Sequence, residues 1–406
     1  MDSAEREGLR PKGNVPNLRF PEFQGEWKRT IFKNVITLQR GSSPRPIIEY
    51  VTTSDDGVNW IKIGDMPHFG RIVTSTEEKI TKEGAKKSRQ VNKGDLILSN
   101  SMSYGLPYIM GIDGYIHDGW FVLKNFENTF DKDYLCNLLI SSAIQNQYKR
   151  LAAGGVVQNI SSDLVNSVSV SIPTMMEQKK ISSLLNLIDE RIATQNKIIE
   201  DLKKLKSAII DYAINSLNTD FAKFGSLYEM AGEGGTPTTS NASFYDNGKI
   251  PFIKIDDLKQ KYLTENKDFI TELGLQKSSA WLVPTHSILF SNGATIGEIS
   301  ITTYPVCTKQ GILGIVPKQN IDVEFLYYFM SSSYFKKAVS RIVTEGTMKT
   351  AYLKDINNIL CPIPTKEKQQ EIAKMPSTLN SKIDFEQSIL KLFCSQKQYL
   401  LRQMFI

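Results

Sequence analysis

A short acidic array is the segment whose residue types and spacing come nearest to metal chemistry. Asp65 is followed downstream by Glu77, and Lys79 comes two residues later. Metal-dependent nucleases use carboxylates of this kind to hold a divalent cation that activates water. The flanking sequence TSTEEKITKEG is polar, however, and lacks the apolar strand that would fix carboxylates around a metal. A stand-alone metal-dependent nuclease using these three residues is therefore an alternative and not the leading interpretation.

The sequence lacks the motifs of the common catalytic sites. It contains no GxxxxGK[ST] phosphate loop, no HExxH and no GxSxG, and no GxGxxG follows a strand to open a helix. The NPPF or NPPY motif with which methyltransferases flip and methylate adenine is also absent. His68, His117 and His286 are isolated from one another in sequence. We therefore expect a protein that binds, with no catalytic residue and no metal site.

Composition is that of an ordinary globular protein. The 406 residues are 41% hydrophobic and 23% charged, and this length predicts two or three domains. The net charge of +6 is compatible with a polyanionic partner but does not require one. The four cysteines show no CxxC spacing, which favours reduced thiols. Because no run of about 18 uncharged apolar residues exists and the N-terminal segment is polar, we expect a cytoplasmic protein that does not contact membranes.

An internal repeat is the strongest feature of the sequence. Residues 59–66 resemble residues 251–258, and aligning Trp60 with Phe252 gives an offset of 192 positions. The other matches at this offset are 98–100 with 290–292, Gly105 with Gly297, Gly119 with Gly311, Gly154 with Gly346 and Asp163 with Asp355. Several separated matches at one offset indicate a duplicated domain.

Each copy contains short strand-like runs, then a helical segment, and ends at Ile-Pro-Thr. A segment rich in Lys, Glu, Leu and Ile follows each copy, with apolar residues at three- and four-residue spacing, which is typical of a coiled-coil helix. The predicted helix seam consists of Ile181, Leu184, Ile188, Ile192, Ile199, Leu202, Leu205, Ile209, Ile383, Leu390, Phe393 and Leu400. Pro376 is expected to kink or interrupt the second helix, so that its seam begins cleanly only after Leu379.

These features predict an α+β architecture with two tandem, mixed β-rich globular domains, each followed by a long α-helix. The two helices are expected to pair as an antiparallel coiled coil with pseudo-twofold symmetry. The expected boundaries are a flexible arm at 1–14, a first domain at 15–174, a central helix at 175–215, a second domain at 216–365 and a C-terminal helix at 366–406. Because duplex DNA has a local twofold axis, such a protein is suited to read two different half-sites at a fixed separation.

Several further segments of the sequence match a known family. They are residues 17–27, Gly41-Ser42-Ser43-Pro44, residues 172–174 with 178–181, residues 187–192 and residues 400–406. In these segments the sequence resembles the specificity subunits of type I restriction-modification systems (the HsdS family). The resemblance covers residues 15–406, and the Pro-Thr start of a long helix occurs twice.

The resemblance implies two target-recognition domains, each reading one half of an asymmetric bipartite site in double-stranded DNA, with paired helices that set the unread spacer. It implies two methyltransferase (modification) subunits as partners, which bind S-adenosylmethionine and methylate adenine, and restriction subunits that use ATP and Mg for translocation and cleavage. No cofactor is expected in this chain, which would act in the bacterial cytoplasm.

Candidate DNA-contacting residues are the polar and basic side chains of the loops between predicted strands, because phosphates attract Lys and Arg whereas base edges suit amides and hydroxyls. In the first domain they are Ser42, Ser43, Arg45, Lys86, Lys87, Arg89, Asn100, Ser101, Ser103, Tyr104, Gln158 and Asn159. In the second domain they are Thr236, Thr238, Lys277, Asn292, Thr295, Lys309, Gln310, Lys349 and Thr350. A coiled-coil scaffold with protein-binding heads is the remaining alternative.

Overall fold

A computed structural model describes residues 13–67, 70–100, 105–152, 160–343 and 349–406. The chain divides into two units, each of which takes one end of each long helix. The first contains the residues up to Lys197 together with Ser388–Ile406, and the second contains Ile198–Gln387. Within the described residues, no helix is both long enough and apolar enough to cross a lipid bilayer.

The first unit is a mixed α/β domain with two five-stranded sheets. Its strands are β1 Lys28–Ile31, β2 Thr37–Arg40, β3 Val51–Thr52, β4 Val58–Ile61, β5 Ile72–Val73, β6 Glu78–Ile80, β7 Arg89–Val91, β8 Leu96–Ser99, β9 Pro107–Met110, β10 Gly114–Ile116, β11 Trp120–Lys124 and β12 Ser169–Ile172. The sheet orders are β2-β11-β8-β9-β5 and β3-β6-β4-β10-β7, and β1 pairs with β12. Its helices are α1 Lys82–Lys86, α2 Lys132–Ile140, α3 Ser142–Ala152 and α4 Ser162–Ser167, and the long helix α5 spans Met175–Asn215.

The second unit repeats this order with fewer strands. Its strands are β13 Phe221–Lys223, β14 Tyr228–Glu233, β15 Ile250–Ile253, β16 Tyr262–Leu263, β17 Asp268–Ile270, β18 Ile288–Ser291, β19 Ile299–Thr302, β20 Cys307–Thr308, β21 Ile312–Pro317 and β22 Leu360–Pro362. Its helices are α6 Glu272–Gln276, α7 Val323–Ser331, α8 Ser333–Ile342 and α9 Leu353–Ile356, and the long helix α10 spans Lys366–Gln403. The sheet orders are β14-β21-β18-β19-β16 and β17-β15-β20, and β13 pairs with β22.

The repeat extends to strand register. In the first unit, Phe121 pairs with Leu98 across antiparallel β11 and β8. In the second, Leu313 pairs with Phe290 across β21 and β18. A parallel pair is also repeated, β4 with β10 and β15 with β20. The duplication predicted from a single offset is therefore a duplication of fold, and equivalent positions in the two domains can be compared directly.

Each unit is built around an apolar core that includes residues from both long helices. In the first unit, Ile181 and Leu185 of α5 and Leu400 of α10 pack with the buried side chains of the domain. In the second unit, Ile210 of α5 and Ala373 of α10 do so. Fully burying a leucine or isoleucine side chain stabilises a fold by about 1.5–3 kcal/mol, so the helix ends are integral parts of both units.

The seam of α5 differs from the expected one at a single position. Leu205 is 48% exposed, whereas its neighbour Lys206 is partly buried and donates a hydrogen bond to the side chain of Asn380 at 2.9 Å. Ile199, Leu202, Lys206 and Ile209 follow alternating three- and four-residue spacing, so the inward position belongs to the lysine. The inclusion of Leu205 in the seam was wrong, because one residue turns the helix by about 100°.

Pro376 does not interrupt the second long helix. It lies inside α10 and is buried, with Ala373 of the preceding turn also buried in the second core. A proline inside a helix removes one backbone hydrogen bond and crowds the carbonyl four residues earlier, yet the helix continues through this position. The expectation that the packed face begins only after Leu379 was therefore wrong.

The expected N-terminal arm falls largely outside the described residues. Asn14, at its end, is held by the first domain: its carbonyl accepts the Trp27 N–H at 2.8 Å, and its side chain accepts the Ser171 hydroxyl at 2.8 Å. The described domain therefore includes residue 14.

Candidate functional site

A glycine brings the 41–44 loop against the turn that joins β10 to β11. The Gly41 N–H donates to the carbonyl of Trp120 at 2.8 Å. A Cβ atom at Gly41 would lie 2.0 Å from the carbonyl oxygen of His117. Only glycine permits so close an approach of two backbone segments. The predicted candidates Ser42, Ser43 and Arg45 are thereby placed next to residues 117–119.

Ser43 and Arg45 both bond to Asp118 in this turn. The Ser43 hydroxyl donates to Asp118 Oδ1 at 2.9 Å, and it accepts the Asp118 N–H at 3.3 Å. An Arg45 nitrogen lies 3.1 Å from Asp118 Oδ2. Partial burial alone would raise the pKa of the Asp118 carboxyl, but the Ser43 hydrogen bond and neighbouring positive charge hold that pKa below its ordinary value. Asp118 is thus an ionised carboxylate that anchors the loop.

His117 occupies the same turn, although its role was not predicted from sequence. Its Nδ1 accepts the Gly119 N–H at 2.8 Å, which leaves the ring hydrogen on Nε2. The ring centroid lies 6.2 Å from that of Trp60 and 6.3 Å from that of Trp120. Burial is the largest influence on the imidazole and lowers the pKa of His117. His117 is therefore a neutral, oriented hydrogen-bond donor.

A cavity of about 800 Å³ opens beside this turn. Its lining combines proline and aromatic surfaces with a few polar groups, the usual composition of a recognition pocket. The lining residues are Ser43, Pro44, Arg45, Pro46, Ile47, Trp60, Lys62, Ile63, Gly64 and His117. Trp60, Lys62 and His117 come together because β4 and β10 run parallel, with Ile61 opposite Ile116.

Two positively charged side chains, Arg45 and Lys62, line the cavity, and Arg40 and Arg89 are linked by hydrogen bonds to the adjoining turn. Arg89 Nε donates to the Arg40 carbonyl at 3.2 Å, and Arg40 Nε donates to the Asp118 carbonyl at 3.3 Å. Lys62 Nζ lies 2.7 Å from Glu78 Oε1, and this hydrogen bond raises the pKa of Lys62. The Arg45 side chain is 80% exposed. The arginines present cations to solvent where a polyanion could contact them.

Lys86 and Lys87 form the neighbouring basic cluster on and after α1. Lys86 pairs with Glu83 at 2.8 Å, and Lys87 bonds to the hydroxyl of Tyr50 and lies over its ring. Both lysines are exposed. These contacts orient the side chains along the surface and leave further ammonium hydrogens for solvent or phosphate.

The second domain repeats the loop contact with different side chains. Thr236 Oγ1 accepts the Gln310 N–H at 3.3 Å, as Ser43 does for Asp118. A Cβ atom at Gly234 would lie 2.2 Å from the carbonyl of Thr308, so the close backbone approach recurs. Lys309 and Gln310 are exposed in this turn.

The remaining described candidates of the second domain are distributed over its surface. Thr238, Lys277, Thr295 and Lys349 are exposed, and Thr350 is partly buried in an isolated bridge with Gly293.

Two predicted base-reading amides are buried structural residues. Asn100 is 5% exposed and its Nδ2 donates to the Asp118 carbonyl at 2.9 Å. Asn292 is 1% exposed, and its Nδ2 donates to the Ala351 carbonyl at 3.3 Å. Their backbones also bridge neighbouring segments, since the Asn100 carbonyl accepts the Ile160 N–H at 2.8 Å. Assigning Asn100 and Asn292 to DNA was wrong, because neither side chain reaches the surface. The candidates Ser101, Ser103, Tyr104, Gln158 and Asn159 lie outside the described residues.

The acidic array serves local structure. Asp65 Oδ2 accepts the Lys62 N–H at 2.6 Å and its Oδ1 accepts the Glu77 N–H at 3.0 Å. The equivalent Asp257 accepts the Lys254 N–H at 2.8 Å, so the same turn is capped in both domains. Across the described ranges, no group of three or more His, Cys, Asp or Glu residues could hold a metal ion. This arrangement does not favour the nuclease alternative.

The Pro-Thr-x-x-x-Gln start of each long helix has a definite structural role. Gln178 is 1% exposed; its Oε1 accepts the Asp131 N–H at 2.9 Å and its Nε2 donates to the Pro173 carbonyl at 3.1 Å. Gln369 is 0% exposed and makes the same pair of bonds to Asp322 and Pro364, at 2.8 and 2.9 Å. The motif therefore fixes each long helix to the domain that precedes it.

Comparison with known proteins also finds two copies of one domain in this chain. The family model described as the type I restriction modification DNA specificity domain matches residues 25–204 and again residues 218–392. The MjaIX specificity subunit of Methanocaldococcus jannaschii, a type I restriction enzyme subunit, is 22% identical over 388 residues and covers 88% of each chain. The putative MjaX specificity subunit of the same organism is 24% identical over 408 residues and covers 92% of this chain and 91% of its own.

Solved structures share the fold. A chain from a study of the assembly and conformational transition of the type I R-M system has a TM-score of 0.60 at 16% identity, covering 92% of this chain and 96% of that one. The S subunit of a type I restriction-modification system from M. genitalium has a TM-score of 0.54 at 16% identity, covering 97% and 99%. With two matched copies over most of its length, the chain belongs to the type I restriction modification DNA specificity family, and its role is DNA recognition.

Proposed function

We propose that this chain recognises an asymmetric, bipartite site in double-stranded DNA, one half by each domain. One observation carries the proposal: the two domains present the same loop contact with different polar side chains. Ser43 and Thr236 hold equivalent turns, whereas His117-Asp118 in one turn is replaced by Lys309-Gln310 in the other. A shared backbone with different polar groups suits two half-sites of different sequence.

The long helices are proposed to pair antiparallel and to set the spacer between the half-sites. The first unit contains the start of α5 and the end of α10, and the second contains the start of α10 and the end of α5. Contacts support this order: Asp189 bonds to Lys397 in the first unit, and Lys206 to Asn380 in the second. Residue numbers that rise along one helix while they fall along the other are typical of antiparallel helices.

The proposed partners are two methyltransferase subunits that dock on the long helices. In support, each helix carries three large, exposed apolar side chains at seven-residue spacing, which places each set on one helix face. They are Ile198, Leu205 and Tyr212 on α5, with Phe385, Leu392 and Tyr399 on α10. Their exposed fractions lie between 39% and 76%. Exposed stripes of this kind in a polar helix favour a protein partner.

Catalysis is proposed to reside in the partner subunits. Methyltransferase subunits would bind S-adenosylmethionine and methylate adenine, and restriction subunits would use ATP and Mg for translocation and cleavage. This chain would contribute DNA recognition and hold no cofactor itself. Its proposed location is the bacterial cytoplasm, where its DNA substrate lies.

Methylation mapping tests the proposal directly. The chain is co-expressed with its methyltransferase subunit in a host that lacks adenine methylation, and the genome is sequenced for modified adenines. The expected result is one split motif, two short blocks separated by a constant gap. The chain expressed alone is expected to produce no methylation. Methylation by the chain alone, or a stable complex that yields no motif, would overturn the proposal.

A further inference from the structure

The turn ends at a glycine in both domains, but the acceptor of the glycine N–H differs between them. In the first, the Gly119 N–H is accepted by His117 Nδ1 at 2.8 Å. In the second, the Gly311 N–H is accepted by Glu233 Oε1 at 3.0 Å. The second domain therefore uses a strand residue for this bond and leaves the Lys309 side chain out of it. In the first domain, the same bond fixes the imidazole of His117.

The hydrogen bond from Gly119 determines which ring nitrogen of His117 can act as a donor. Because Nδ1 accepts from Gly119, the neutral ring carries its hydrogen on Nε2. Trp60 and Trp120 flank the ring and restrict its orientation. His117 is one of the residues that line the cavity, and its side chain is 20% exposed. A donor fixed before binding loses little conformational entropy when it meets an acceptor.

We propose that His117 is a specificity-determining residue of the first domain, whose Nε2–H donates a hydrogen bond to an acceptor on a base edge of the first half-site. This inference rests on the proposed function. The acceptor chemistry is that of the major groove, where purine N7, guanine O6 and thymine O4 accept hydrogen bonds. Arg45, which is 80% exposed at the same cavity, is placed to contact a phosphate beside that base.

The other polar residues of the cavity are less suited to reading a base. The Ser43 hydroxyl donates to Asp118 at 2.9 Å, and the Lys62 ammonium pairs with Glu78 at 2.7 Å. Both groups already have an anionic partner at short range. Arg45 also has an anionic partner, because its guanidinium lies 3.1 Å from Asp118 Oδ2. His117 differs from these residues in that its ring is oriented by the hydrogen bond from the Gly119 N–H.

The second domain supports the same assignment. Lys309 stands where the first domain has His117, and Gln310 stands where it has Asp118. A neutral planar donor and a flexible cation favour different base edges, so this position would read different bases in the two half-sites. The two domains share the backbone contact of this loop and differ in the side chains that the turn carries. A change of side chain at this position can therefore alter recognition while the fold stays intact.

Two substitutions of His117 distinguish a role in base recognition from a structural role. His117→Asn keeps an acceptor near the Nδ1 position for Gly119 but removes the distant donor. His117→Gln places an amide donor near the Nε2 position. Each full-length variant is co-expressed with the methyltransferase subunit, and its methylation motif is compared with that of the wild type. His286→Asn is the matched control, because His286 is exposed in the second domain and its backbone φ of 57° is one that asparagine tolerates.

The expected result is that His117→Asn relaxes one base position in one half-site, with about a ten-fold loss of discrimination there. The other half-site and the spacer stay unchanged, His117→Gln recovers the original preference at least in part, and His286→Asn retains the wild-type motif.

Three outcomes count against the inference. A His117→Asn variant with the wild-type motif and wild-type methylation at every position would overturn it. Loss of all methylation that His117→Gln does not restore would make His117 structural and would also overturn it. If the wild-type complex itself gives no split motif, the proposed function fails first and the inference falls with it, so the two failures are distinguishable.

Discussion

Gln178 binds the N-terminus of α2 through Asp131. Its Oε1 accepts the Asp131 N–H at 2.9 Å, while the Asp131 carboxylate accepts the Tyr134 N–H at 2.9 Å and so caps the helix. One buried amide thus joins the start of a long helix to the first turn of a domain helix. The same pair recurs as Gln369 and Asp322, which explains why the Gln of the Pro-Thr motif appears in both copies.

Replacing Gln178 with alanine is expected to destabilise the first unit by about 2 kcal/mol. The substitution leaves the Asp131 N–H and the Pro173 carbonyl without buried partners, and each unsatisfied group costs about 1–3 kcal/mol before relaxation. Hydrogen exchange checks the result, since amides of α2 should exchange faster. Gln369→Ala is the matched variant and should accelerate exchange in α7 instead. Equal acceleration in both helices by either variant would contradict this local role.

The stability of the first domain should depend on the protonation of His117. Burial, the largest influence, lowers the pKa of His117 below the ordinary 6.5, although the carboxylates of Asp118 and Asp65 act in the opposite direction and Lys62 adds to the lowering. Above pH 6.5 the imidazole is neutral in both folded and unfolded chains. As pH falls through the window below 6.5, the unfolded chain takes up the proton more readily, so the folded state loses stability until the pH passes the folded-state pKa.

Thermal unfolding at pH 7.5 and pH 5.5 measures this dependence. The melting temperature of the wild type should fall more between these values than that of His117→Asn, which has no imidazole at the site. A wild type and variant with parallel pH profiles would show that protonation of His117 is not coupled to folding.

The repeat and the helices were predictable because they leave regular patterns in sequence. Trp60 and Phe252 align at one offset, and the spacing of Ile181 and Ile188 predicts a helix seam. The site was less predictable, because contacts between residues of different strands and loops leave no periodic pattern in the sequence. Asn100 looked like a polar loop residue but is buried against the Asp118 carbonyl.

His117 is a candidate site residue that the sequence did not indicate. As an isolated histidine it gave no indication of its role, since Gly41 and Trp60 are brought to it only by the fold. The turn itself carried one indication, the glycine pair Gly119 and Gly311 at the repeat offset. Comparing the residues that precede each glycine would have drawn attention to His117 and Lys309.

An exposed apolar stripe on α5 should be required for complex formation with the methyltransferase subunit. Leu205→Glu places a charge in the centre of the stripe, where docking would have to desolvate it, and we expect at least a ten-fold weaker complex. Isothermal titration of the purified subunits checks the affinity. Ser207→Glu is the control, because Ser207 is exposed and lies about 200° away around the helix. Equal loss of affinity in both variants would indicate a charge effect without a defined docking face.

Removing seven residues from each long helix should shorten the DNA spacer. Residues 198–204 of α5 and 382–388 of α10 are matched segments, because the pairs Asp189 with Lys397 and Lys206 with Asn380 bracket them. A seven-residue deletion preserves the seam and shortens each helix by about 10 Å, which corresponds to about three base pairs. Methylation mapping of the deletion variant should report both original half-sites with the shorter gap. A changed half-site sequence would contradict the role of the helices as a spacer, since the domains that read the bases are left intact.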